Sequence, residues 1–168
     1  MAKSVLEKAM DHLALRPLST NELRTKLSSS GKYTPDEVDE AIDICRTRGY
    51  LNDSLLAADA AQFLNACGKG RNLIRKKLRT RGISEEELSE ALEKLTPENE
   101  SAAARSAAAG KLRLLVREKD KRKKREKLFR FLISRGFSPD LVHSTVSELL
   151  AEEDDPVSFF NENEDALQ

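Results

Sequence analysis

The chain has 168 residues, of which 39% are hydrophobic, 35% charged and only 5% aromatic, and it contains no tryptophan. This composition argues against one large compact core and favours small helical modules. No apolar stretch approaches the roughly 20 residues that cross a bilayer, and the charged first residues lack the apolar region of a secretory signal. We therefore expect a cytoplasmic protein that spans no membrane.

The first predicted unit covers residues 1–51. Pro17 ends its first helix, Ser19 and Glu22 form a capping box for its second, and Thr34 caps its third. Gly49 then ends the unit, because glycine is the usual residue after the last turn of a helix. Helices are expected at about 4–15, 20–29 and 35–48.

The second unit covers residues 52–96 and the third covers residues 97–152. Gly68 and Gly70 interrupt the second unit, and Ser84 with Glu87 forms another capping box. Helices are expected at about 53–66, 71–81, 85–95, 97–118, 124–135 and 139–152. The charged stretch 117–127 is either a loop or a helical connection. Residues 153–168 lack helical periodicity and are expected to form a disordered acidic tail, with a possible anchor at Phe159–Phe160.

The three units repeat one apolar pattern that ends in glycine. A period of about 50 residues built from helical spacings is typical of a helical repeat array. We therefore predict an all-α fold of three tandem three-helix repeats that form an elongated, curved molecule. Such arrays offer an extended surface to another macromolecule. The pattern recurs at Leu23, Leu27 and Gly31, at Ile74, Leu78 and Gly82, and at Leu128, Leu132 and Gly136.

No catalytic or cofactor motif stands out. The glycines around Lys69 do not form a phosphate-binding loop, because the GxxxxGK[ST] pattern and a preceding strand are both missing. His12 and His143 are far apart in sequence, and Cys45 and Cys67 have no metal or redox spacing. Cys45 is expected in the core. We therefore expect a protein that is not an enzyme and that binds no cofactor and no metal.

The charges cancel overall but are sorted along the chain. Residues 69–81 contain seven basic residues and no acidic one, and residues 111–130 contain eleven basic and three acidic ones. Residues 136–168 contain nine acidic residues and no lysine or arginine. Such sorting predicts either contact with a polyanion or acidic partner, or pairing within the chain.

The helix predicted at 71–81 places Lys76 and Arg79 on the face opposite its apolar positions, with Arg75 at the edge. Arg71, Arg75 and Arg79 stand four residues apart, a like-charge spacing whose repulsion an external anion would relieve. With no acid close by in sequence, this basic face is predicted to bind a partner. The candidate residues are Lys69, Arg71, Arg75, Lys76, Arg79, Lys119, Lys123 and Arg130.

Three motifs resemble the RecX family of bacterial RecA regulators, and the resemblance covers about residues 5–95 well. It departs from the family at Asn52 and Leu56, where an aspartate and an aromatic are usual, and it lacks a proline after the glycines before the basic helix. The motifs are Leu23-Arg24-Thr25-Lys26-Leu27, Gly49-Tyr50-Leu51-Asn52-Asp53, and Lys69-Gly70-Arg71 with its following Ile74, Arg75, Leu78, Gly82, Ile83 and Ser84.

The resemblance implies a small cytoplasmic monomer that lies along the groove of the RecA–DNA filament, contacting DNA directly or through RecA. It also implies that the protein limits ATP hydrolysis and strand exchange by the filament, or promotes loss of the filament. One alternative is a general nucleic-acid-binding repeat protein that acts without RecA. Another is a scaffold whose basic segments pair with Glu85–Glu90 and the C-terminal acids. The acidic tail is a further candidate to cover the basic face.

Overall fold

The computed structural model describes residues 3–152, and within that range the chain forms nine α-helices and no strand. The all-α prediction is therefore confirmed. The helices are α1 (Val5–Leu15), α2 (Thr20–Ser28), α3 (Pro35–Thr47), α4 (Asp53–Ala66), α5 (Arg71–Thr80), α6 (Glu85–Glu93), α7 (Pro97–Arg113), α8 (Lys121–Ser134) and α9 (Pro139–Glu152).

Local capping fixes where several helices begin. The predicted capping boxes at Ser19, Thr34 and Ser84 are all present, each with the serine or threonine side chain accepting from the amide three residues on. A further box at Ser4, which the sequence analysis did not identify, starts α1. Each box satisfies amides that the helix leaves without a partner, and this is why these starts agree with prediction.

The stretch predicted as either a loop or a helical connection contains a break. Helix α7 ends at Arg113, five residues before its predicted end, and the amides of Leu114 and Leu115 bond to carbonyls three residues back. Asp120 then caps α8 by accepting from two backbone amides, so α8 begins three residues earlier than predicted. The expectation of a helix to residue 118 was wrong, because tightened turns and a new cap outweighed helix propensity.

Apolar residues collect into three separate clusters, one for each repeat. The repeated leucines of α2, α5 and α8 are fully buried, as the repeat pattern predicted. Cys45 is also fully buried, whereas Cys67 is exposed. We refer to α1–α3, α4–α6 and α7–α9 as the first, second and third repeats.

The described chain divides into two compact units. The first unit contains the residues through Leu64 together with Ile74–Thr96, and it holds the first two apolar clusters. The second contains Asn65–Leu73 and the described residues from Pro97 to Glu152, and it holds the third cluster.

Within the first unit, the start of α2 meets the second repeat through two hydrogen bonds. The amide of Thr20 donates to the Asp53 carboxylate, with an N–Oδ1 distance of 2.9 Å. The Ser19 hydroxyl, buried at this position, donates to the carbonyl of Arg81. The first turn of α2 is therefore held by the first residue of α4 and by the turn after α5.

Within the second unit, the start of α5 meets the third repeat at the equivalent positions. The amide of Arg71 donates to the Glu100 carboxylate at 3.3 Å, and the amide of Gly70 donates to the carbonyl of Arg135 at 2.9 Å. Arg71 and Gly70 align with Thr20 and Ser19, and Arg135 aligns with Arg81. The same junction is therefore built twice from different side chains.

A glycine in the left-handed region allows the close approach at each junction. Gly82 has φ +76°, and a Cβ added there would lie 2.4 Å from Cβ of Asn21. Gly136 has φ +86°, and a Cβ there would lie 2.3 Å from the amide nitrogen of Leu73. Gly31 occupies the equivalent turn of the first repeat, with φ +63° and nothing within 4 Å.

The acidic tail expected at residues 153–168, with Phe159–Phe160, lies outside the described residues. Within residues 3–152, no helix combines the length and apolar character needed to cross a membrane. The same residues contain no group of three or more His, Cys, Asp or Glu side chains that could hold a metal ion.

The repeat cores predict that Leu27→Asp, Leu78→Asp and Leu132→Asp each destabilise the fold. Each leucine is at most 1% exposed, and burying an unpaired carboxylate costs several kcal/mol against a typical domain stability of roughly 5–15 kcal/mol. Leu15→Asp, at an 83% exposed position, is the matched control and should melt close to wild type. Thermal unfolding followed by circular dichroism measures the stability of the core variants and of the control. If all three core variants melted like wild type, the alignment of the three repeat cores would be contradicted.

The junction geometry predicts that Gly136→Ala destabilises the protein more than Gly31→Ala. Both changes carry the left-handed backbone cost of roughly 1–2 kcal/mol, but only at Gly136 does the new Cβ collide with backbone of another helix. We expect the larger drop in melting temperature for Gly136→Ala. Equal drops for the two variants would show that Gly136 does not set the junction.

Candidate partner interface

The basic face of α5 carries a carboxylate partner of its own. Both Arg75 and Arg79 form ion pairs with Glu85 at the start of α6, with an Arg79 Nη2–Glu85 Oε2 distance of 2.7 Å. The hydrogen bond from Arg79, and then the charges of both arginines, lower the pKa of Glu85. No acid lies within α5 itself, but the turn after α5 brings Glu85 back beside the helix, so these two arginines pair as the alternative with Glu85–Glu90 expected.

The first residues of the basic segment are also engaged. Arg71 Nε donates to Glu100 Oε2 at 2.8 Å, and the backbone carbonyl of Lys69 accepts from the side chain of Asn65 at 3.2 Å. The predicted repulsion along Arg71, Arg75 and Arg79 is therefore relieved by carboxylates of the chain itself. Lys76 is different, because its exposed ammonium has no hydrogen-bond or ion-pair partner among residues 3–152.

The third-repeat candidates lie just before α8 and within it. Lys119 and Lys123 are exposed, and Arg130 is 82% exposed with only a 3.8 Å contact to Glu126. Seven of the fourteen residues of α8 are basic, and five of these fill its first five positions. A helix N-terminus favours anions, and the Asp120 cap supplies one here, while the exposed cations that follow give this end of α8 a strongly basic surface.

A cleft of about 510 Å³ lies beside the junction in the first unit. Three of its apolar side chains are mostly exposed, with Tyr50 at 51%, Leu55 at 58% and Phe63 at 68%. Large exposed apolar groups gathered in one concavity are typical of an interaction site. We call it the first cleft; its other lining residues include Arg16, Leu56, Asp59, Ala60 and Arg81.

The second unit has an equivalent cleft of about 440 Å³, which we call the second cleft. In each cleft five residues recur at the same spacing, and the arginine before the turn glycine also lines it. All five lie on α4 in the first cleft, whereas in the second cleft four lie on α7 and Leu114 follows its end. The five are Leu55, Leu56, Asp59, Ala60 and Phe63 in the first cleft, and Ser106, Ala107, Gly110, Lys111 and Leu114 in the second.

The arginines of the two clefts have different partners. Arg81 binds Glu22 through two nitrogens, with Nη2–Oε2 at 2.9 Å and Nε–Oε1 at 3.3 Å. The residue that aligns with Glu22 in the second repeat is Leu73, so Arg135 has no such carboxylate. Its guanidinium lies 4.9 Å from the centre of the Phe131 ring and donates to the carbonyl of Cys67 at 3.4 Å.

Neither cleft was identified from the sequence. A signal was nevertheless available, since an arginine directly precedes the turn glycine in both the second and third repeats. Phe131 is half-buried, with Lys111 Nζ at 5.6 Å and the Arg135 guanidinium both over its ring.

The carboxyl group of Glu22 has a pKa well below its usual range. Burial alone would raise its pKa, but hydrogen bonds from Arg81, the Ser19 backbone and Arg16 outweigh burial and lower the pKa to about 2. This carboxylate also completes the α2 capping box, so it joins the helix start to the turn after α5.

Comparison with known proteins gives consistent matches. Residues 98–146 match the family model for the third three-helix domain of RecX. A regulatory protein RecX from Chromohalobacter salexigens is 32% identical over 135 residues, covering 80% of this chain and 86% of that protein. One from Clostridium botulinum is 33% identical over 130 residues, covering 77% of this chain and 60% of the relative. The chain therefore spans about 60% of the length of this clostridial relative.

Two crystal structures share the fold. That of RecX from Lactobacillus salivarius has a TM-score of 0.77 at 24% identity and covers 86% of this chain and 94% of its own. Another structure of regulatory protein RecX has a TM-score of 0.75, also at 24% identity, and covers 86% and 70%.

The lowered pKa of Glu22 predicts an acid-sensitive contribution to stability. A carboxyl whose folded pKa is depressed stabilises the fold above its unfolded pKa near 4.5 and loses that effect as pH falls toward 2. Glu22→Gln should therefore destabilise the protein at pH 7 by at most about 3 kcal/mol, and the difference from wild type should shrink between pH 5 and pH 2. Urea unfolding across this range measures it.

Glu40→Gln is the matched control, because Glu40 is an exposed carboxyl on α3. Its stability difference from wild type should stay small at every pH. A Glu22→Gln effect that persists undiminished at pH 2 would show that shape rather than charge stabilises the junction.

Proposed function

The chain belongs to the RecX family of regulatory proteins, and we propose that it modulates RecA recombinase, most simply as an inhibitor. It does so by binding along the RecA–DNA filament, where it changes ATP hydrolysis, strand exchange and filament persistence. The protein carries no catalytic role in this proposal and acts as a monomer through its surface.

The observation that carries this proposal is the match to the Chromohalobacter relative, which spans 86% of that protein. Similarity over so much of both chains supports a shared role more strongly than the basic surface does by itself. The RecA partnership comes with the family and is proposed for this chain.

The proposed contact surface is basic and partly self-paired. Lys76 is exposed without a partner among the described residues, whereas Arg75 and Arg79 share the half-exposed Glu85. Exposed ion pairs contribute only about 0–1 kcal/mol, so an incoming phosphate or carboxylate can replace Glu85 at little cost. Lys69, Arg71, Lys119, Lys123 and Arg130 complete the proposed set.

A second candidate function, nucleic-acid binding without RecA, is favoured by α8. Its first five residues are all basic, and such a dense run of positive charge is the kind of surface that attracts the phosphates of nucleic acid. In this case the protein binds naked DNA through α8 with strong salt dependence, and RecA is not required.

The contact surface predicts that Arg75→Gln, Lys76→Gln and Arg79→Gln together remove the effect on RecA. Glutamine is chosen because glutamate at 75 and 79 would face Glu85. Helicity should be preserved, while suppression of ATP hydrolysis by RecA on single-stranded DNA should disappear. The control is a second triple variant that removes the same charge from other exposed positions, namely Arg46→Gln, Arg48→Gln and Lys94→Gln.

Two further measurements separate the possible partner groups. For every phosphate of single-stranded DNA that the triple variant no longer neutralises, the slope of log affinity against log salt flattens by about 0.7. Binding to RecA carboxylates instead leaves naked-DNA affinity unchanged while the ATPase effect disappears. Glu85→Gln, which releases two arginines, should strengthen the effect. A triple variant that suppresses ATP hydrolysis like wild type would contradict the surface, and DNA binding without any RecA effect would favour the second function.

A further inference from the structure

The second cleft contains two cations that have no carboxylate partner among residues 3–152. Lys111 and Arg135 are both half-buried, and both lie over the ring of Phe131. In the first cleft the equivalent arginine, Arg81, is bound by Glu22 through two nitrogens. The comparison within one chain therefore shows that the second cleft lacks a carboxylate that its counterpart has.

The walls of the second cleft add an apolar requirement. Leu114 is 78% exposed at one end, and Phe131 and Ala107 are half-buried within it. No aspartate or glutamate among the described residues lines the cleft. A suitable occupant therefore brings carboxylates for Lys111 and Arg135 and an apolar side chain for Leu114.

We propose that the C-terminal segment of this same chain, residues 153–168, occupies the second cleft. The segment contains six carboxylates and no lysine or arginine. Phe159 and Phe160 stand between its two acidic groups, so one segment offers both charge and apolar surface. Its charge is opposite to that of the cleft, and its aromatic pair matches the exposed leucine.

The position of α9 brings the segment within reach. Glu148 pairs with Arg105 at 3.3 Å, which places the last part of α9 beside α7. The cleft is lined by α7 residues from Ser106 to Lys111 and by Leu114 just after the helix end. The seven residues from Glu152 to Phe159 extend at most about 24 Å. A helix with its side chains is roughly 10–12 Å in diameter, so the path around half of it is about 16–19 Å, which this length exceeds.

The second cleft is a better site for this segment than the basic face of α5. Arg75 and Arg79 already share Glu85, and Arg71 already binds Glu100. An acidic segment on α5 would have to displace these carboxylates, whereas at Lys111 and Arg135 it displaces none. The tail and the proposed partner surface on α5 are therefore separate, and this inference does not depend on the proposed function.

Cys67 offers a direct probe, because it lines the second cleft and is exposed while Cys45 is buried. The probe is the rate at which the Cys67 thiol reacts with a neutral maleimide. We expect the full chain to react about fivefold more slowly than a chain ending at Glu153, because a tethered segment acts at millimolar effective concentration. High salt should accelerate the full chain and leave the shortened one unchanged.

Matched variants locate the contact. Phe159→Ala with Phe160→Ala in the full chain should remove part of the protection, and Lys111→Gln with Arg135→Gln should remove its salt dependence. Lys94→Gln, which removes a positive charge from an exposed residue of the first unit, should leave the protection as in wild type. Equal Cys67 rates in full and shortened chains at low salt would overturn the proposal.

A nitroxide on Cys67 tests the same contact by distance and identifies its origin. The amide signals of Phe159 and Phe160 should broaden within one molecule, to the same extent at every protein concentration. Broadening only when spin-labelled protein is mixed with separate isotope-labelled protein would mean that a second chain supplies the segment, and the proposal would fail. Absence of broadening in either sample would also reject it.

Discussion

The close approach of a neighbouring helix to a left-handed glycine is the constraint on which the repeat junctions depend. At Gly82 and Gly136 the neighbouring helix lies so near that no Cβ fits. The short distance brings the start of α2 within hydrogen-bonding reach of the Arg81 carbonyl, and the start of α5 within reach of the Arg135 carbonyl. The clefts follow from it, because each is lined by the arginine that precedes the turn glycine.

The third repeat does not offer a further copy of this junction. The position that aligns with Ser19 and Gly70 is Lys124, and it lies inside α8, where its amide bonds to the carbonyl of Asp120. Helix α8 therefore begins about one turn earlier than the aligned position, and its N-terminal end carries basic residues instead of a junction. In the first repeat, a Cβ added at Gly31 would have nothing within 4 Å. The three repeats therefore share the same arrangement of helices, while the residues at their unpaired ends differ.

Sequence reasoning predicted the elements whose causes are local. Capping residues at Ser19, Thr34 and Ser84 act within one helical turn, so their helix starts could be read directly from the chain. The partner of Arg75 and Arg79 could not be read in this way. Pairing with Glu85–Glu90 was only one alternative, because Glu85 reaches these arginines only after the chain turns between α5 and α6. The clefts were missed for a related reason, since their walls combine residues that are distant in sequence. Repeat alignment could have indicated them, because only that comparison makes the arginines before Gly82 and Gly136 equivalent.

Pairing within the chain changes how the basic residues should be understood, without making them inert. An arginine held by a half-exposed glutamate keeps the fold near electrical neutrality, and an exposed pair contributes too little energy to exclude a competing anion. A partner with several anionic groups can therefore exchange with Glu85, and salt will weaken both arrangements. The junction arginine Arg81 differs, because Glu22 is largely buried and also caps α2, so its displacement would disturb the helix start. Exposure of the carboxylate thus separates the ion pairs that can open for a partner from those that hold two repeats together.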